Sequence, residues 1–381
     1  MNSLLIVAGD PSGDLHGSHL IHAIKKASPS LYVAAVGGPL MRQACDEFLE
    51  DLAGRGVTGF WEPFLQLGFL LRLGKRLKNF MAERRPAAVV CIDYYGFNRR
   101  VLGLAQSLGI AAYYYISPQV WASRPGRIRV LKRLVRRIFV IFPFEEDIYR
   151  REGVPCLFVG HPLLDLLPAC VEKKEMRAPV EVGLLPGSRP SEIGRHLPLF
   201  IRAFSQFRRH FPDSRGVLFA SAALPDALLR DYRLEGIEIV RESDYSRRAA
   251  LDIAFSSSGT ATLENALLGV PMVVVYKLSW LSYWVARGLI RVPHISMANI
   301  LAGRRLVPEL IQNQATPENI SRAAVALMEN PRQYKALKGE LRGLRETLKA
   351  AAAEGLRRCA PETTAYEILR ELNLLQIPGT T

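Results

Sequence analysis

Short apolar runs alternate with longer amphipathic stretches along the chain, and this alternation is found in both halves. In the first half the runs are rich in β-branched or aromatic residues and are bounded by turn residues, as expected for strands buried on both faces. These runs are Leu4–Ala8, Tyr32–Val36, Ala87–Ile92, Ala111–Ile116 and Ile138–Phe142. Helical patterns such as Leu15–Lys26 and Val101–Leu108 lie between them, which predicts a parallel sheet covered by helices on both faces.

The same pattern restarts at about Val180. The candidate strands of the second half are Val182–Leu185, Gly216–Ala220, Ile237–Val240, Leu251–Phe255 and Pro271–Tyr276. We therefore predict an α/β fold with two doubly wound, Rossmann-like domains, residues 1–165 and 166–340, followed by a helical tail, residues 341–381. Ligands in open α/β sheets bind at the carboxyl ends of the strands, so we expect a ligand cleft between the two domains.

The composition is strongly basic, with 50 Lys and Arg residues against 36 Asp and Glu residues, a net charge of +14 and a pI near 9.7. Such an excess predicts an anionic partner, which could be a phosphorylated substrate, an acidic membrane surface or nucleic acid. Five scattered cysteines without a CxxC pair favour a reducing compartment. The chain shows neither a signal-peptide pattern nor a run of about 18 apolar residues, so we expect a cytoplasmic protein without a spanning helix.

Residues 9–14, GDPSGD, follow the first predicted strand and open a helix. Glycine at such a turn allows a ligand to approach the backbone closely, and the helix N-terminus attracts anions. Gly13 is therefore a candidate residue for binding an anionic ligand. The alternative is a helix cap by Ser12 or Asp14. The spacing is not that of a dinucleotide fingerprint.

An equivalent turn, LLPGSR, opens the second half. Gly187 and Ser188 could offer backbone and hydroxyl donors, and Arg189 could neutralise a diphosphate. The alternative is a structural loop with a solvated arginine.

A hydroxyl-rich segment, residues 256–264, follows the Leu251–Phe255 run. Ser258, Gly259 and Thr260 at a helix start predict a second anion cradle. Glu264, one turn into that helix, could hold two ribose hydroxyls. The alternative is a serine-rich cap without a ligand.

Asp93 directly follows a strand pattern at the carboxyl edge of the first predicted sheet. Apolar surroundings would raise its pKa and favour a role as general base. Asn98 either caps the next helix or contacts a substrate. The alternative for Asp93 is an ordinary helix cap.

No metal site or cofactor is predicted. His16, His19 and His22 fall at i, i+3 and i+6 on one helix, but neither a cysteine nor a carboxylate joins them at ligand spacing. We expect them to be surface or groove residues.

Two segments, Phe60–Met81 and Trp280–Arg291, combine a dense apolar face with basic residues, as interfacial membrane helices do. The candidate lipid-facing residues are Phe64, Leu67, Leu70, Leu71, Trp280 and Trp284. Core-facing helices would show the same pattern. A basic run could likewise contact phosphates or form a charged helix exterior; it comprises Arg124, Arg127, Arg129, Lys132, Arg133, Arg136 and Arg137.

Eight motifs together resemble one family, the bacterial lipid A disaccharide synthases, in which they occur in the same order. They are GDPSGD, IDYYGFN, YISPQVWA, FPFE, VGHP, LLPGSRxxEI, SSGTATLE and residues 299–304, NILAGR. The resemblance implies an inverting GT-B glycosyltransferase that joins UDP-2,3-diacylglucosamine to 2,3-diacylglucosamine 1-phosphate and releases UDP. It further implies a metal-independent enzyme at the cytoplasmic face of the inner membrane, and a homodimer in which C-terminal segments can be exchanged.

By this resemblance Asp93 matches the essential carboxylate, Arg189 the diphosphate ligand, Glu264 the nucleotide ligand and Asn299 an active-site residue. Tyr276, at the end of the last predicted strand, is placed in the same nucleotide site. Some family members carry a second Asp where this chain has Gly96, so the assignment of the base depends on Asp93 alone.

Three alternatives remain open at this point. Another transferase or epimerase that uses UDP-N-acetylglucosamine would share the architecture, but a water-soluble acceptor has no use for apolar helices. A basic nucleic-acid-binding protein is favoured only by the net charge, because no recognisable RNA or DNA motif occurs, and we expect no nucleic acid partner. A non-catalytic peripheral membrane protein would leave Asp93 inert.

Overall fold

The computed structural model describes residues 2–54, 67–122, 125–168, 179–221, 224–241, 245–278, 292–350 and 359–376. The chain divides into two compact units, Met1–Pro162 with Leu348–Thr381, and Leu163–Thr347. Residues 341–381, which the sequence pattern set apart as a tail, are thus divided between the units.

Every strand that the structure describes belongs to one of two parallel sheets. The strands of the first unit are β1 (Ser3–Ala8), β2 (Tyr32–Gly37), β3 (Glu47–Asp51), β4 (Ala88–Ile92), β5 (Ala111–Tyr115), β6 (Arg137–Val140) and β7 (Cys156–Phe158). Those of the second unit are β8 (Glu181–Leu185), β9 (Arg215–Phe219), β10 (Ile237–Val240), β11 (Ile253–Ser257), β12 (Met272–Tyr276) and β13 (Glu309–Ile311).

The α-helices are numbered in chain order. They are α1 (Pro11–Ala27), α2 (Pro39–Ala44), α3 (Leu67–Arg84), α4 (Tyr95–Ser107), α5 (Gly126–Leu134), α6 (Pro143–Arg151), α7 (Leu163–Leu166), α8 (Pro190–Phe207), α9 (Ser246–Ala249), α10 (Thr260–Leu267), α11 (Met297–Ala302), α12 (Pro317–Met328), α13 (Pro331–Thr347) and α14 (Ala360–Glu371). Six of these helices begin at a proline, whose missing N–H and restricted φ suit the first helical position. Within the ranges that the structure describes, no helix is long and apolar enough to cross a membrane.

The first sheet has the order β3-β2-β1-β4-β5-β6-β7. Strand β1 is buried on both faces. Leu5 and Val7 belong to a core cluster with residues of α3, α4 and α5, whereas Leu4 and Ile6 are equally buried on the opposite face. This two-sided burial explains why the strand is a continuous apolar run rather than an alternating one.

Helix α14 packs against α1 within the first unit. Its Glu371 carboxylate contacts strands β5 and β6, because it accepts a hydrogen bond from Tyr113 at 3.0 Å and pairs with Arg137 at 2.7 Å. The C-terminal helix therefore completes the first unit rather than extending the second.

The second sheet has the order β10-β9-β8-β11-β12-β13. The chain builds outward from β8 to β9 and β10, and then returns to build β11, β12 and β13 on the other side. The reversal between β8 and β11 creates a crevice at their carboxyl ends, where open α/β sheets bind ligands.

All ten predicted strands are present, but three short strands were not predicted. Strand β3 reads EFLED and β13 reads ELI, so neither is continuously apolar, and β7, which reads CLF, has only three residues. One predicted boundary was also wrong: β11 begins at Ile253 and continues through Ser257, so Ser256 and Ser257 are buried strand residues rather than loop residues. The Ser256 hydroxyl donates to the Ser257 carbonyl at 3.0 Å, which allows a hydroxyl in a buried strand.

Candidate functional site

A cavity of about 490 Å³ opens at the crevice of the second unit. Its walls come from the carboxyl ends of β8, β9 and β11 and from the helices that follow them. The residues that line it are Leu185, Gly187, Ser188, Arg189, Glu192, Phe219, Ala220, Ser221, Tyr245, Arg248, Ser257, Ser258, Gly259, Thr260, Ala261 and Glu264. Seven of the predicted nucleotide ligands are thereby brought together in one cavity.

The loop between β8 and α8 already holds an anionic group of its own. Gly187 has φ +115°, and a Cβ there would lie 2.4 Å from Glu192 Oε2, so glycine is required. Ser188 N and Arg189 N donate to Glu192 Oε2 at 3.1 and 3.3 Å, and Arg189 Nη1 donates to Glu192 Oε1 at 3.2 Å. The donors predicted to meet a diphosphate therefore meet the Glu192 carboxylate, while the Arg189 side chain stays 68% exposed.

The start of α10 forms the opposite wall. Gly259 has φ +146° and open space beside it, so the backbone at Thr260 is exposed to the cavity. The first amides of a helix have no intrahelical acceptors and attract anions. The Ser258 hydroxyl donates to Ile295 O at 3.1 Å, so this side chain supports the loop rather than offering its proton to a ligand.

Glu264 projects into the cavity and is held by two donors. The Tyr245 hydroxyl donates to Glu264 Oε1 at 2.9 Å, and the Arg248 guanidinium donates to Oε2. Arg248 also lies over the Phe219 ring at 5.4 Å. Neither Tyr245 nor Arg248 was predicted, because Arg247 and Arg248 are adjacent and nothing in the sequence distinguishes the one that faces the cavity.

Asn299 and Tyr276 do not line this cavity. The Asn299 side chain is fully buried: Nδ2 donates to Val307 O and Glu309, and Oδ1 accepts from the Leu306 and Val307 amides. Its amide is therefore used to hold the loop after α11. Tyr276 is half-buried at the end of β12, and burial raises the pKa of its hydroxyl.

In the first unit, Asp93 sits on an unusual turn after β4. Asp93 and Tyr94 have φ values of +41° and +40°, a region that residues other than glycine rarely adopt. The turn is held in place because Asn98 Nδ2 donates to the Ile92 and Asp93 carbonyls, at 2.9 Å each, and the Tyr114 hydroxyl also donates to Asp93 O. Asn98 thus positions the turn instead of capping a helix or facing a substrate. Strained backbone of this kind persists only where the surroundings enforce it, and it concentrates at functional sites.

Burial raises the pKa of Asp93 to about 6, and the nearby Asp10 charge adds to the effect. The predicted upward shift is therefore confirmed. The Tyr94 ring covers this corner closely, since a Cβ on Gly9 would lie 2.0 Å from Tyr94 Cδ1. A carboxylate in this setting is a stronger base than an exposed one.

The GDPSGD motif is used for helix capping. Asp10 Oδ1 accepts from Gly13 N at 2.6 Å, so Asp10 caps α1 and the Gly13 amide is not available to a donor substrate. Asp14 is buried and caps α2 instead, because it accepts from the Gly38, Leu40 and Met41 amides at 2.8–3.0 Å. The cap predicted at Ser12 or Asp14 of α1 was thus wrong.

A second buried carboxylate, Glu145, was not predicted. It accepts from Ser117 Oγ at 2.8 Å, Trp121 Nε1 at 3.2 Å and Phe142 N at 3.1 Å, and burial raises its pKa to about 7. Glu145 therefore joins the YISPQVWA and FPFE motifs, whose spacing in the sequence gives no sign of this contact.

The three histidines of α1 have different surroundings. His16 is buried, and burial lowers its pKa to about 4, whereas His22 is exposed. His16 is therefore not a surface residue, and a place for it in a groove stays a prediction. Within the part of the chain that the structure describes, no group of three potential ligands could hold a metal ion. Metal independence stays a prediction.

The apolar segment that ends at Met81 is helical from Leu67. Leu67 and Leu71 are 43% and 58% exposed, whereas Leu70 is half-buried and packs against the core cluster, so a lipid-facing role for all three stays a prediction. Phe64, Trp280 and Trp284 lie outside the described residues.

A family model described as lipid-A-disaccharide synthetase matches residues 4–360 of the chain. A lipid-A-disaccharide synthase from Syntrophus aciditrophicus (strain SB) is 41% identical over 361 residues, which cover 91% of this chain and 94% of the relative.

Two solved structures are similar to the fold. A UDP-GlcNAc 2-epimerase from Neisseria meningitidis, bound to UDP-GlcNAc, has a TM-score of 0.59 and 14% identity over 98% of this chain and 100% of that one. The glycotransferase of kitacinnamycin has a TM-score of 0.62 and 16% identity over 98% and 99%. At these identities the likeness shows the fold alone, which is the GT-B architecture of glycosyltransferases and epimerases.

Proposed function

Because this chain belongs to the lipid-A-disaccharide synthetase family, it is a glycosyltransferase that forms the lipid A disaccharide, and we propose that it works by inverting transfer with Asp93 as general base. The proposed donor is UDP-2,3-diacylglucosamine and the proposed acceptor is 2,3-diacylglucosamine 1-phosphate. The half-buried Asp93 carboxyl on its strained turn, with its pKa raised to about 6, is the observation that carries this mechanism.

The nucleotide of the donor is assigned to the cavity of the second unit. A volume of about 490 Å³ is in the range of small-molecule sites. Glu264 is fixed by Tyr245 and Arg248, and its carboxylate would accept hydrogen bonds from the ribose hydroxyls. The diphosphate would lie at the N-terminus of α10, where the helix dipole and the exposed amides favour negative charge.

Arg189 is assigned to the same diphosphate, although it contacts Glu192 in the structure. A surface ion pair of this kind contributes little stability, and the Arg189 side chain is 68% exposed. The guanidinium can therefore leave Glu192 for a doubly charged diphosphate without a large cost.

In the proposed reaction the acceptor's 6-hydroxyl attacks the anomeric carbon of the donor sugar. The C–O bond forms as the bond to the UDP oxygen breaks, and the hydroxyl proton passes to the Asp93 carboxylate. At pH 7 a carboxyl with a pKa of about 6 is roughly nine-tenths ionised, so it is both available and more basic than usual. Charge on the departing diphosphate is stabilised by Arg189 and by α10.

We place the enzyme peripherally at the cytoplasmic face of the inner membrane. The exposed leucines of α3, Leu67 and Leu71, and the net charge of +14 support this placement. We test it by flotation with anionic vesicles: L67S/L71S should bind more weakly, and L228S/I239S, which changes exposed apolar residues of the second unit, should not. Equal binding of the two variants would contradict the role of α3.

A homodimer is proposed from the family resemblance alone. Helix α14, which packs on α1 of the same chain, is the segment that an exchange would involve. Sedimentation of the full chain tests this.

The deciding experiment measures UDP release and disaccharide formation from acylated and non-acylated substrates. We expect product only when both sugars are acylated. Epimerisation of UDP-N-acetylglucosamine without transfer would favour the epimerase, and binding of oligonucleotides that falls steeply with salt, without UDP binding, would favour a nucleic-acid-binding protein.

A further inference from the structure

The first unit carries a second cavity, of about 620 Å³, along the outer surfaces of α4 and α5. We call it the arginine groove, after Arg99 and Arg100 of α4 and Arg133 of α5. The other lining residues are Gly96, Gly103, Gln106, Val130 and Leu134. None of these residues belongs to the nucleotide cavity of the second unit, and the proposed reaction does not use them.

Among the described residues, the lining of the groove has three guanidinium groups and no carboxylate. Arg99 and Arg100 are exposed, and among the residues that the structure describes neither of them pairs with a carboxylate. Arg133 donates only weakly, from Nε to Arg129 O at 3.4 Å. Three positive charges that share one concave surface favour a multivalent anion, because concave surfaces focus the field.

Other members of the basic run are already engaged. Arg136 and Arg137 pair with Glu371 at 3.3 and 2.7 Å, and Lys132 donates to Glu152 O at 2.8 Å. Arg133 differs from these neighbours because it faces α4 rather than α14 or α6. In the sequence the residues of the basic run could not be told apart, and the structure shows that Arg133 is the one that lines the groove.

Glycines keep the groove open. A Cβ added at Gly96 or Gly103 would meet no atom within 4 Å, so the space beside both residues is empty. Gln106 Nε2 donates to Arg133 O at 2.7 Å and ties α4 to α5. The groove is therefore a concavity between two helices that a hydrogen bond joins.

The groove lies in the same helical layer as the exposed leucines of α3. Helix α3 packs on α4, and α4 packs on α5. Leu67 and Leu71 offer apolar area on α3, and the groove offers positive charge on α4 and α5 of the same layer. Apolar side chains next to cations match the acyl–headgroup boundary of an anionic bilayer.

We propose that the arginine groove binds the phosphate groups of anionic phospholipid headgroups. Guanidinium groups bind phosphate oxygens through two parallel hydrogen bonds, which an ammonium group cannot do. The inference rests on the proposed membrane association and adds a specific headgroup site to it.

The test uses flotation of the full chain with vesicles of phosphatidylcholine and phosphatidylglycerol, and with pure phosphatidylcholine vesicles. We expect R99Q/R100Q/R133Q to bind the anionic vesicles roughly 10- to 100-fold more weakly. The control is R209Q/R230Q/R332Q, which removes three exposed arginines of the second unit and lowers the net charge equally; it should stay within about 3-fold of the parent.

A matched pair at Gly103 keeps the size constant and changes the charge. Gly103→Glu places a carboxylate in the groove, where it would neutralise the arginines, whereas Gly103→Gln adds the same bulk without charge. We expect the Glu variant to bind anionic vesicles more weakly than the Gln variant. Both replace a helical glycine that has open space beside it, so both should fold, and UDP binding should persist in each.

The outcomes separate the two proposals. Failure of the parent to bind anionic vesicles would overturn the membrane association and the groove together. Equal binding by the groove and control triple variants would overturn the groove alone. Displacement of the protein from vesicles by millimolar inorganic phosphate, with equal affinity for free phosphate, would assign the groove to a soluble phosphate instead of a headgroup. Groove-dependent vesicle binding without any glycosyl transfer would refute the proposed reaction and leave the groove standing.

Discussion

Arg248 donates a hydrogen bond to Glu264, and both side chains are almost buried, at 11% and 13% exposure, in the wall of the cavity of the second unit. A carboxylate that is held by a cation on one side keeps a fixed position for a ligand on the other. We therefore regard Arg248 as the residue that positions Glu264 for the ribose.

Replacing Glu264 with Gln should weaken UDP binding. The neutral amide is a poorer acceptor for two hydroxyls, and its NH₂ group would face the Arg248 guanidinium. We expect a loss of about 1.5–3 kcal/mol in UDP binding by calorimetry, the range for hydrogen bonds to charged groups.

The matched control is Glu181→Gln, because Glu181 pairs with the adjacent Arg247 at 2.6 Å outside the cavity. It should change stability without changing UDP affinity. If both variants lose UDP equally, Glu264 has no specific role.

Asp93→Asn should abolish transfer and leave UDP binding intact, since an amide cannot accept the acceptor's proton. In the parent, only the ionised carboxylate is active, so kcat/KM should fall as the pH decreases through about 6. The pH profile of disaccharide formation measures this. Near-normal turnover of the Asn variant would remove Asp93 as the base.

Asp10→Asn tests which group causes kcat/KM to fall at low pH, the acidic limb of the pH profile. The Asp10 charge raises the pKa of Asp93, so removing it should move the limb to lower pH. Asparagine is also a good N-cap and should keep the start of α1, where Asp10 accepts from Gly13 N. An acidic limb that does not move would mean that another group titrates.

Arg189→Ala should lower UDP affinity by about 1.5–3 kcal/mol, because a charged partner of the diphosphate is lost. Arg202→Ala, on the same helix but outside the cavity, is the control. An unchanged titration of the Arg189 variant with UDP would show that the guanidinium stays with Glu192.

Glu145 should make the folded state less stable as the pH rises. Its pKa is raised to about 7 by burial, so between about 4.5 and 7 the folded chain holds a proton that the unfolded chain has released. The free energy of unfolding should therefore be higher at pH 5 than at pH 7.5, by roughly 2 kcal/mol from this group.

Urea unfolding of Glu145→Gln at the two pH values checks this, because the variant has no proton to release and should lose that part of the difference. The control is Glu146→Gln, because Glu146 is the next residue of the same helix and pairs with Arg150. This variant should keep the full difference in unfolding free energy between the two pH values. A difference that survives in the Glu145 variant would contradict the assignment.

Much of the fold followed from local patterns. Strands such as β1 and β4 are buried on both faces and must be continuously apolar, so they can be read directly from the chain. Strands β3 and β13 contain acidic residues, and β7 is apolar but has only three residues, so none of them gives a long apolar run.

The candidate site was predictable only in part. Asp93 follows a strand of the first sheet, and Arg189 and Glu264 follow strands of the second. Within each sheet parallel strands bring their carboxyl ends to the same edge, so this placement is a consequence of order along the chain. Asn299 belongs to the same family pattern, yet every polar atom of its side chain is used within the loop after α11.

The sequence by itself determined the two parallel sheets, the positions of Asp93 and Glu264 after their strands, and the family of the chain, because these depend on periodicity and on residue order. The tertiary structure alone decided which of two neighbouring arginines faces Glu264, how Asn98 and Tyr114 hold Asp93, and which arginines share the groove. These are matters of side-chain direction and of contacts between residues distant in the chain, and no local pattern encodes either.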